Sequence, residues 1–216
     1  MLEIYLIRHA QSTGNVNHDV VTGKSNHLKL TDLGKRQAAA LGRRLKKEGL
    51  TFDRIIASRA VRATKTAKIA LRKMNIDTTD LEIFDEITEL NFGELEGKPT
   101  KDIFTKEMYK TFLADPYRFR METTETAEEV EERMHQWFLK ELVNPFVETE
   151  ESKRIFMVSH GTAIRCWLRR ILDFNPHMIY KIQMQNTAIN ILRYDLKRGW
   201  FLDKMNDSSH LKAHWK

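Results

Sequence analysis

The chain has 216 residues, of which 41% are apolar and 31% charged, with a formal net charge of +6 and a single cysteine, Cys166. That is enough apolar chain for a sizeable core in one domain, and one cysteine excludes an internal disulfide. No apolar run approaches the ~20 residues of a membrane span, and no charged region followed by a long apolar one opens the chain, so neither a span nor a signal peptide is expected.

Basic residues such as Arg43, Arg44, Lys46 and Lys47, or Arg169 and Arg170, are spread over several segments and read as solvated helix faces. Zinc-finger spacing and aromatic RNA-binding signatures are missing, so nucleic acid is not expected as a partner. The charge balance suits an anionic substrate. One cysteine fits a reducing compartment, and a cytoplasmic location is expected.

Leu2 to Ile7 is an apolar run broken only by Glu3, and it ends in Arg8-His9 followed by small or polar residues through Asn15. A short apolar run bounded by turn formers reads as a buried strand. Residues 16–30 read as a polar loop with Thr22-Gly23 at its middle. Thr31 is placed as an N-cap, and Leu33, Ala38, Leu41 and Leu45 form one side of an amphipathic helix that Gly49 closes. Phe52 to Ala57 is the next expected strand, ending in Ser58, and residues 60–73 the next helix, with Arg62 in its first turn. A basic residue gains nothing from the positive end of a helix dipole, so Arg62 makes most sense if it holds an anion.

Leu81 to Phe84 is a third expected strand. The segment 85–97 alternates acidic and apolar residues too irregularly for one helix and reads as a loop presenting a carboxylate, with Glu86, Glu89, Glu94 and Glu96 all candidates. Residues 98–125, with a helix expected from Thr100 to Leu113, break the alternation and read as an insertion roofing the crevice. Thr126 and Glu129 make a capping box for a helix whose Val130, Met134, Trp137, Phe138 and Leu142 repeat at helical spacing, with Pro145 expected to close it. Arg154 to Val158 is another strand, ending in Ser159-His160-Gly161, and a helix from Ala163 to Leu172 follows with Cys166 packed inside it. Thr187 to Tyr194 and Trp200 to Met205 form the last two expected strands, as a hairpin. His210 and His214 read as part of a frayed, solvated tail rather than as metal ligands.

Strand, helix, strand, helix with short links predicts an α/β fold: a three-layer sandwich on a mostly parallel open sheet with helices on both faces. The expected organisation is one domain over 1–216, with a small helical insertion at about 98–125 over the active site. In such sheets chemistry collects beyond the carboxyl ends of the strands. There the chain supplies Arg8, His9, Ser58, Arg62, His160 and Gly161. Arg forks match phosphoryl oxygens bidentately, and a helix after Gly161 adds N–H donors, so the crevice suits a tetrahedral dianion. One imidazole, kept neutral by surrounding positive charge, has a lone pair to offer phosphorus, and an acidic-loop carboxyl has a proton for the departing alkoxide. The cations offset the transferring charge, so neither a metal nor another cofactor is expected.

These stretches resemble the histidine phosphatase superfamily, also called the phosphoglycerate mutase-like family. RHAQSTGN at 8–15 is similar to the Arg-His-Gly motif, TGKSNHLKLTDLGKRQA at 22–38 to the next block, and SRAVRATKTA at 58–67 to the Arg-bearing helix start. TELNFGELEG at 88–97 resembles the acid loop, VSHG at 158–161 the second histidine, and NDSSHL at 206–211 a common ending. The resemblance implies His9 as the phosphorylated nucleophile, Glu89 as the proton donor, and Arg8, Arg62 and His160 with Gly161 as the phosphoryl cradle. Asn15, Gln11, Thr22 and Gly23 fall on positions near phosphate or substrate. Ala10 stands where the family has glycine, which would strain the chain if a positive φ were needed there.

The expected activity is hydrolysis of a small phosphorylated metabolite with release of inorganic phosphate. The segment from Lys98 to Glu125 holds only Pro99 and Pro116 and lacks the longer, proline-rich insertion of the cofactor-dependent phosphoglycerate mutases, which is the runner-up reading. A non-catalytic module binding phosphorylated ligands is the alternative of another class, against which the intact proton donor argues. A homodimer is compatible with this reading.

Overall fold

A computed structural model describes residues 1–215. In chain order its main elements are β1 (Leu2–Arg8), α1 (Thr13–Val16), α2 (Asp32–Lys47), β2 (Arg54–Ser58), α3 (Val61–Lys73) and β3 (Glu82–Phe84). There follow α4 (Thr100–Ile103), α5 (Lys106–Ala114), α6 (Ala127–Phe138), α7 (Asn144–Thr149), β4 (Lys153–Ser159), α8 (Gly161–Leu172), β5 (Ile189–Asp195) and β6 (Gly199–Asp207). The α/β fold is the one the sequence predicts.

β1 is buried from Leu2 to Ile7, on both faces of its pleat. A strand of that kind needs cover on both sides. It obtains this in a sheet of order β3-β2-β4-β1-β5-β6. β3, β2, β4 and β1 run parallel, and β5 and β6 add an antiparallel hairpin at one edge. Ile4, Leu6, Ile56 and Met157 pack under α6 and α8, where Phe138 stacks on Trp167 at 3.5 Å. Tyr5, Ile7, Ala57, Phe156 and Val158 pack under α2 and α3. Those two helices touch closely at Gly42, where a Cβ would lie 2.2 Å from the Ala70 carbonyl oxygen.

Local signals behave as expected at two helix starts. Thr31 Oγ1 accepts from Gly34 N, and Thr126 with Glu129 forms the reciprocal capping box. Four expectations are corrected. Pro145 does not end its helix: α6 runs through a π-turn at Leu139–Val143 into α7, and the chain leaves only at Glu150, at φ +54. Proline cannot donate to the carbonyl four residues back. That carbonyl, on Glu141, accepts instead from Arg54 Nη1 at 2.7 Å. The helix expected over 100–113 breaks at Phe104, and Thr105 starts a new one by accepting from Met108 N. The last hairpin starts at Ile189 rather than Thr187, because Thr187 holds a φ of +57, outside any strand conformation.

The tail is also tied down at its histidine, since His210 Nε2 lies 2.9 Å from Thr187 Oγ1. The side chain of His214 lies outside the described residues, and with it part of the expectation for that pair. Among the described residues no helix is long and apolar enough to cross a membrane, and no group of three His, Cys, Asp or Glu side chains is placed to hold a metal.

Candidate active site

β1 and β4 are parallel neighbours in register, Arg8 opposite Ser159. Each strand is followed at once by a histidine, so the two imidazoles meet beyond the sheet with ring centroids 5.0 Å apart. A backbone bond from His9 N to the Ser159 carbonyl, 2.9 Å, locks the two strand ends together. His9 is 3% exposed and His160 fully buried.

The hydrogen bonds give the two rings different tasks. His9 Nδ1 lies 2.7 Å from the Ala10 carbonyl oxygen. A carbonyl only accepts, so Nδ1 carries the proton and Nε2 the lone pair. His160 Nε2 is engaged by Ser58 Oγ at 2.6 Å, and its buried Nδ1 has no protein partner. Burial holds His9 well below the usual imidazole range, and the Arg62 and Arg8 guanidiniums add to this. Burial does the same for His160, with Arg62 next.

A consequence can be measured. A histidine whose folded pKa is depressed takes up a proton on unfolding once the pH falls below its unfolded value of about 6.5, so native stability falls with pH there. Two such groups should remove about 2–3 kcal/mol between pH 7.5 and 5.5, at ~1.4 kcal/mol per pH unit each below 6.5. Urea unfolding at both pH values checks this, and His160→Gln should lose roughly half of the difference. A difference unchanged by removing either histidine would show that neither is held neutral.

Arg8 and Arg62 face the same pocket as His9, a cleft of about 230 Å³ whose walls also include Asn15, Thr22, Gly23 and Glu89. Burial pulls Arg8 down to about 10, still a full cation at neutral pH. Its Nε is buried without a protein partner, and its Nη1 donates to the Met184 carbonyl oxygen. Arg62, in the first turn of α3, is also lowered by burial. Its Nη1 and Nη2 donate to the carbonyls of Gly23, Lys24 and Ser25, so it clamps that loop as well as charging the pocket. The loop passes close enough that a Cβ on Gly23 would meet the Leu90 carbonyl oxygen at 2.6 Å.

Of the four acid-loop candidates, Glu89 is the one in this pocket. Its Oε1 accepts from Ala163 N and Leu90 N, and its Oε2 from Thr162 N, which seats the carboxylate at the N-terminus of α8. Glu96 instead accepts from Lys24 N, Ser25 N and Phe92 N and fixes the two loops to each other. Glu86 lines a separate recess, and Glu94 is exposed.

Three expected positions, Gln11, His160 and Gly161, are not among the walls of this cleft. Gln11 is not a pocket wall: its Oε1 accepts from Thr31 Oγ1 at 2.7 Å, holding the start of α2. Gly161 leaves room for Arg8, since a Cβ there would sit 3.2 Å from Arg8 Nε. Ala10 is unstrained. Among the described residues only Asn75, Glu150, Asp173, Thr187 and Asn206 combine a side chain with positive φ, and the Ala10 N–H donates to Thr66 Oγ1.

Sequence reasoning missed Ser12, Leu90, Phe92, Thr162 and Tyr180 as pocket walls, and Asn186-Thr187 behind them. Asn186 Nδ2 donates to the His9 carbonyl at 2.9 Å, and Thr187 N donates to that of Arg8 at 3.0 Å. This turn fixes the main chain that carries both Arg8 and His9. The spacing Ser12-x-x-Asn15 was a readable signal, because the two form a capping box. A tight turn before a hairpin gives no such signal.

Comparison with known proteins gives the family. The sequence profile described as "Histidine phosphatase superfamily (branch 1)" matches residues 4–208. "Probable phosphoglycerate mutase GpmB" of Yersinia enterocolitica is 27% identical over 98% of this chain and 95% of its own. Phosphoserine phosphatase from Entamoeba histolytica, solved with 3-phosphoglyceric acid, superposes with a TM-score of 0.79 at 25% identity over 98% of this chain and 100% of that one. Bacillus stearothermophilus YhfR superposes at 0.81 with 22% identity, over 97% and 99%.

Proposed function

Because the chain belongs to branch 1 of the histidine phosphatase superfamily, we propose that it hydrolyses phosphomonoesters through a phosphohistidine at His9. The observation that carries this reading is the geometry at the strand ends. A neutral imidazole with its lone pair on Nε2 shares one cleft with two guanidiniums and one carboxyl.

In the first step His9 Nε2 attacks phosphorus, the bond from phosphorus to the ester oxygen breaks, and Glu89 gives the departing alkoxide a proton. Arg8, Arg62 and His160 Nδ1 hold the equatorial oxygens, whose charge they oppose throughout. In the second step water attacks phosphorus, Glu89 takes its proton, the P–N bond breaks and inorganic phosphate leaves. Each step balances without an external electron donor or acceptor.

The relatives named above divide between mutase and phosphatase, so the fate of the phosphoryl group is the deciding measurement. A mutase must hold a second phosphate while the substrate turns. The recess that shares Leu90, Phe92 and Tyr180 with the catalytic cleft has no Lys or Arg among its described walls, which favours hydrolysis, whereas the recess that shares Thr22 and Leu28 holds Lys24 and His27. With 3-phosphoglycerate and a trace of 2,3-bisphosphoglycerate, inorganic phosphate should therefore appear faster than 2-phosphoglycerate. Rapid interconversion of the isomers without net phosphate release would replace this reading by the mutase.

A further inference from the structure

Beside the catalytic cleft lies a second cavity of about 270 Å³, and Leu90, Phe92 and Tyr180 are walls of both. The rest of that chamber comes chiefly from the segment 98–125: Phe104, Met108, Phe112, Phe119 and Met121. Its rings touch in succession. Phe92 meets Phe104 at 6.0 Å between centroids, Phe119 meets Phe112 at 5.5 Å, and Phe112 meets Tyr180 at 5.0 Å.

These side chains do not serve the core. Phe104, Met108, Phe112, Phe119 and Met121 are each only partly buried, and none belongs to the buried clusters on either face of the sheet. Leaving five large apolar groups partly exposed around a hollow is costly, and such hollows mark ligand sites.

Two polar walls of the chamber, Glu125 and Thr124, are already paired within the protein. The Glu125 carboxylate accepts from Arg133 Nε and Nη2 and from Asn91 N. Thr124 Oγ1 exchanges hydrogen bonds with Met121 N and O. Among the described walls there is no Lys, Arg or His to receive a second anion. Across the shared walls Leu90, Phe92 and Tyr180, the lining changes from dicationic, at Arg8 and Arg62, to aromatic.

We propose that this chamber is the leaving-group subsite, and that the preferred substrates are phosphomonoesters of apolar alcohols or phenols rather than phosphates bearing a second anion. The inference rests on the hydrolase reading above, since it places the ester's organic half once the phosphoryl group lies against His9. Two methionines in the wall let the chamber adapt to alkyl and aryl groups alike, because a thioether side chain repacks at low cost.

The test is phosphate release from the unbranched series ethyl to octyl phosphate. These alkoxides are nearly equal as leaving groups, so the series reports burial and not proton donation. kcat/KM should rise about two- to fourfold per methylene until the chamber is full, the upper figure corresponding to ~0.8 kcal/mol per buried CH₂. Hexyl phosphate should exceed 3-phosphoglycerate and phosphoserine at least tenfold. Phe112→Ala should cut the octyl-to-ethyl ratio severalfold, and so should Met108→Gln, which keeps the side-chain length should the first variant fold poorly.

A flat series, or 3-phosphoglycerate on a par with hexyl phosphate, in an enzyme that still releases phosphate, overturns the subsite and leaves the hydrolase intact. No release from any member of the panel by folded protein overturns the hydrolase and the subsite together.

Discussion

His9→Ala is expected to lower phosphate release by at least about ten-thousand-fold, as removal of a covalent nucleophile does when the rest of the site cannot substitute for it. His160 is no substitute, although it lies only 5.0 Å away between ring centroids. Its Nε2 is engaged by Ser58 Oγ at 2.6 Å, whereas His9 Nε2 is freed because Nδ1 is tied to the Ala10 carbonyl. The same asymmetry predicts where a label will be found. Brief exposure to ³²P-labelled substrate followed by alkaline quench, which preserves phosphohistidine, should mark His9 in the wild type and nothing in His9→Ala. Label on His160 would exchange the roles of the two rings. Wild-type protein that binds phosphate tightly yet neither takes label nor releases product would be a binding module, with its cradle kept and its chemistry gone.

Much of this site is legible in the sequence because its makers are local. Arg8-His9 and Ser159-His160 follow short apolar runs that read as buried strands, and parallel strands bring their carboxyl ends to one edge. What stays hidden depends on pairing at a distance. Nothing near Pro145 reveals that Arg54, from another layer, will satisfy the Glu141 carbonyl and let the helix continue. Nothing near Gln11 reveals that Thr31 will draw its side chain away from the pocket. Arg62 was readable as an anion holder from its place at a helix start, yet its carbonyl partners at Gly23, Lys24 and Ser25 depend on a loop whose path no periodicity encodes. The acid loop is the sharpest case. Glu86, Glu89, Glu94 and Glu96 are equivalent as residue types; resemblance alone pointed to Glu89, and in the structure the free N–H groups of Thr162 and Ala163 at the start of α8 hold that carboxylate.

Glu89→Gln should separate the proton donor from the phosphoryl cradle. Glutamine keeps the size of the side chain and leaves His9, Arg8, Arg62 and His160 in place, but it has no proton to transfer. An alkoxide leaving group needs one, and p-nitrophenolate hardly does. Where it is needed, general acid catalysis is worth roughly a hundred- to ten-thousand-fold. Phosphohistidine formation from an alkyl phosphate should fall by that order, and from p-nitrophenyl phosphate far less. The measurement must be the first-step burst, because in the proposed second step the same carboxylate activates water. Glutamine also disturbs the helix cap: both carboxylate oxygens now accept backbone N–H groups, and an amide NH₂ cannot. Any general loosening from that source slows both substrates alike and cancels in their ratio within the variant. Arg62→Ala supplies the contrast, since it weakens the hold on the phosphoryl group that both substrates share and so should lower both equally. Equal losses for the two substrates in Glu89→Gln would mean that Glu89 serves only as the cap of α8, and that the leaving group takes its proton from another carboxylate of the acid loop, Glu86 being the next to replace.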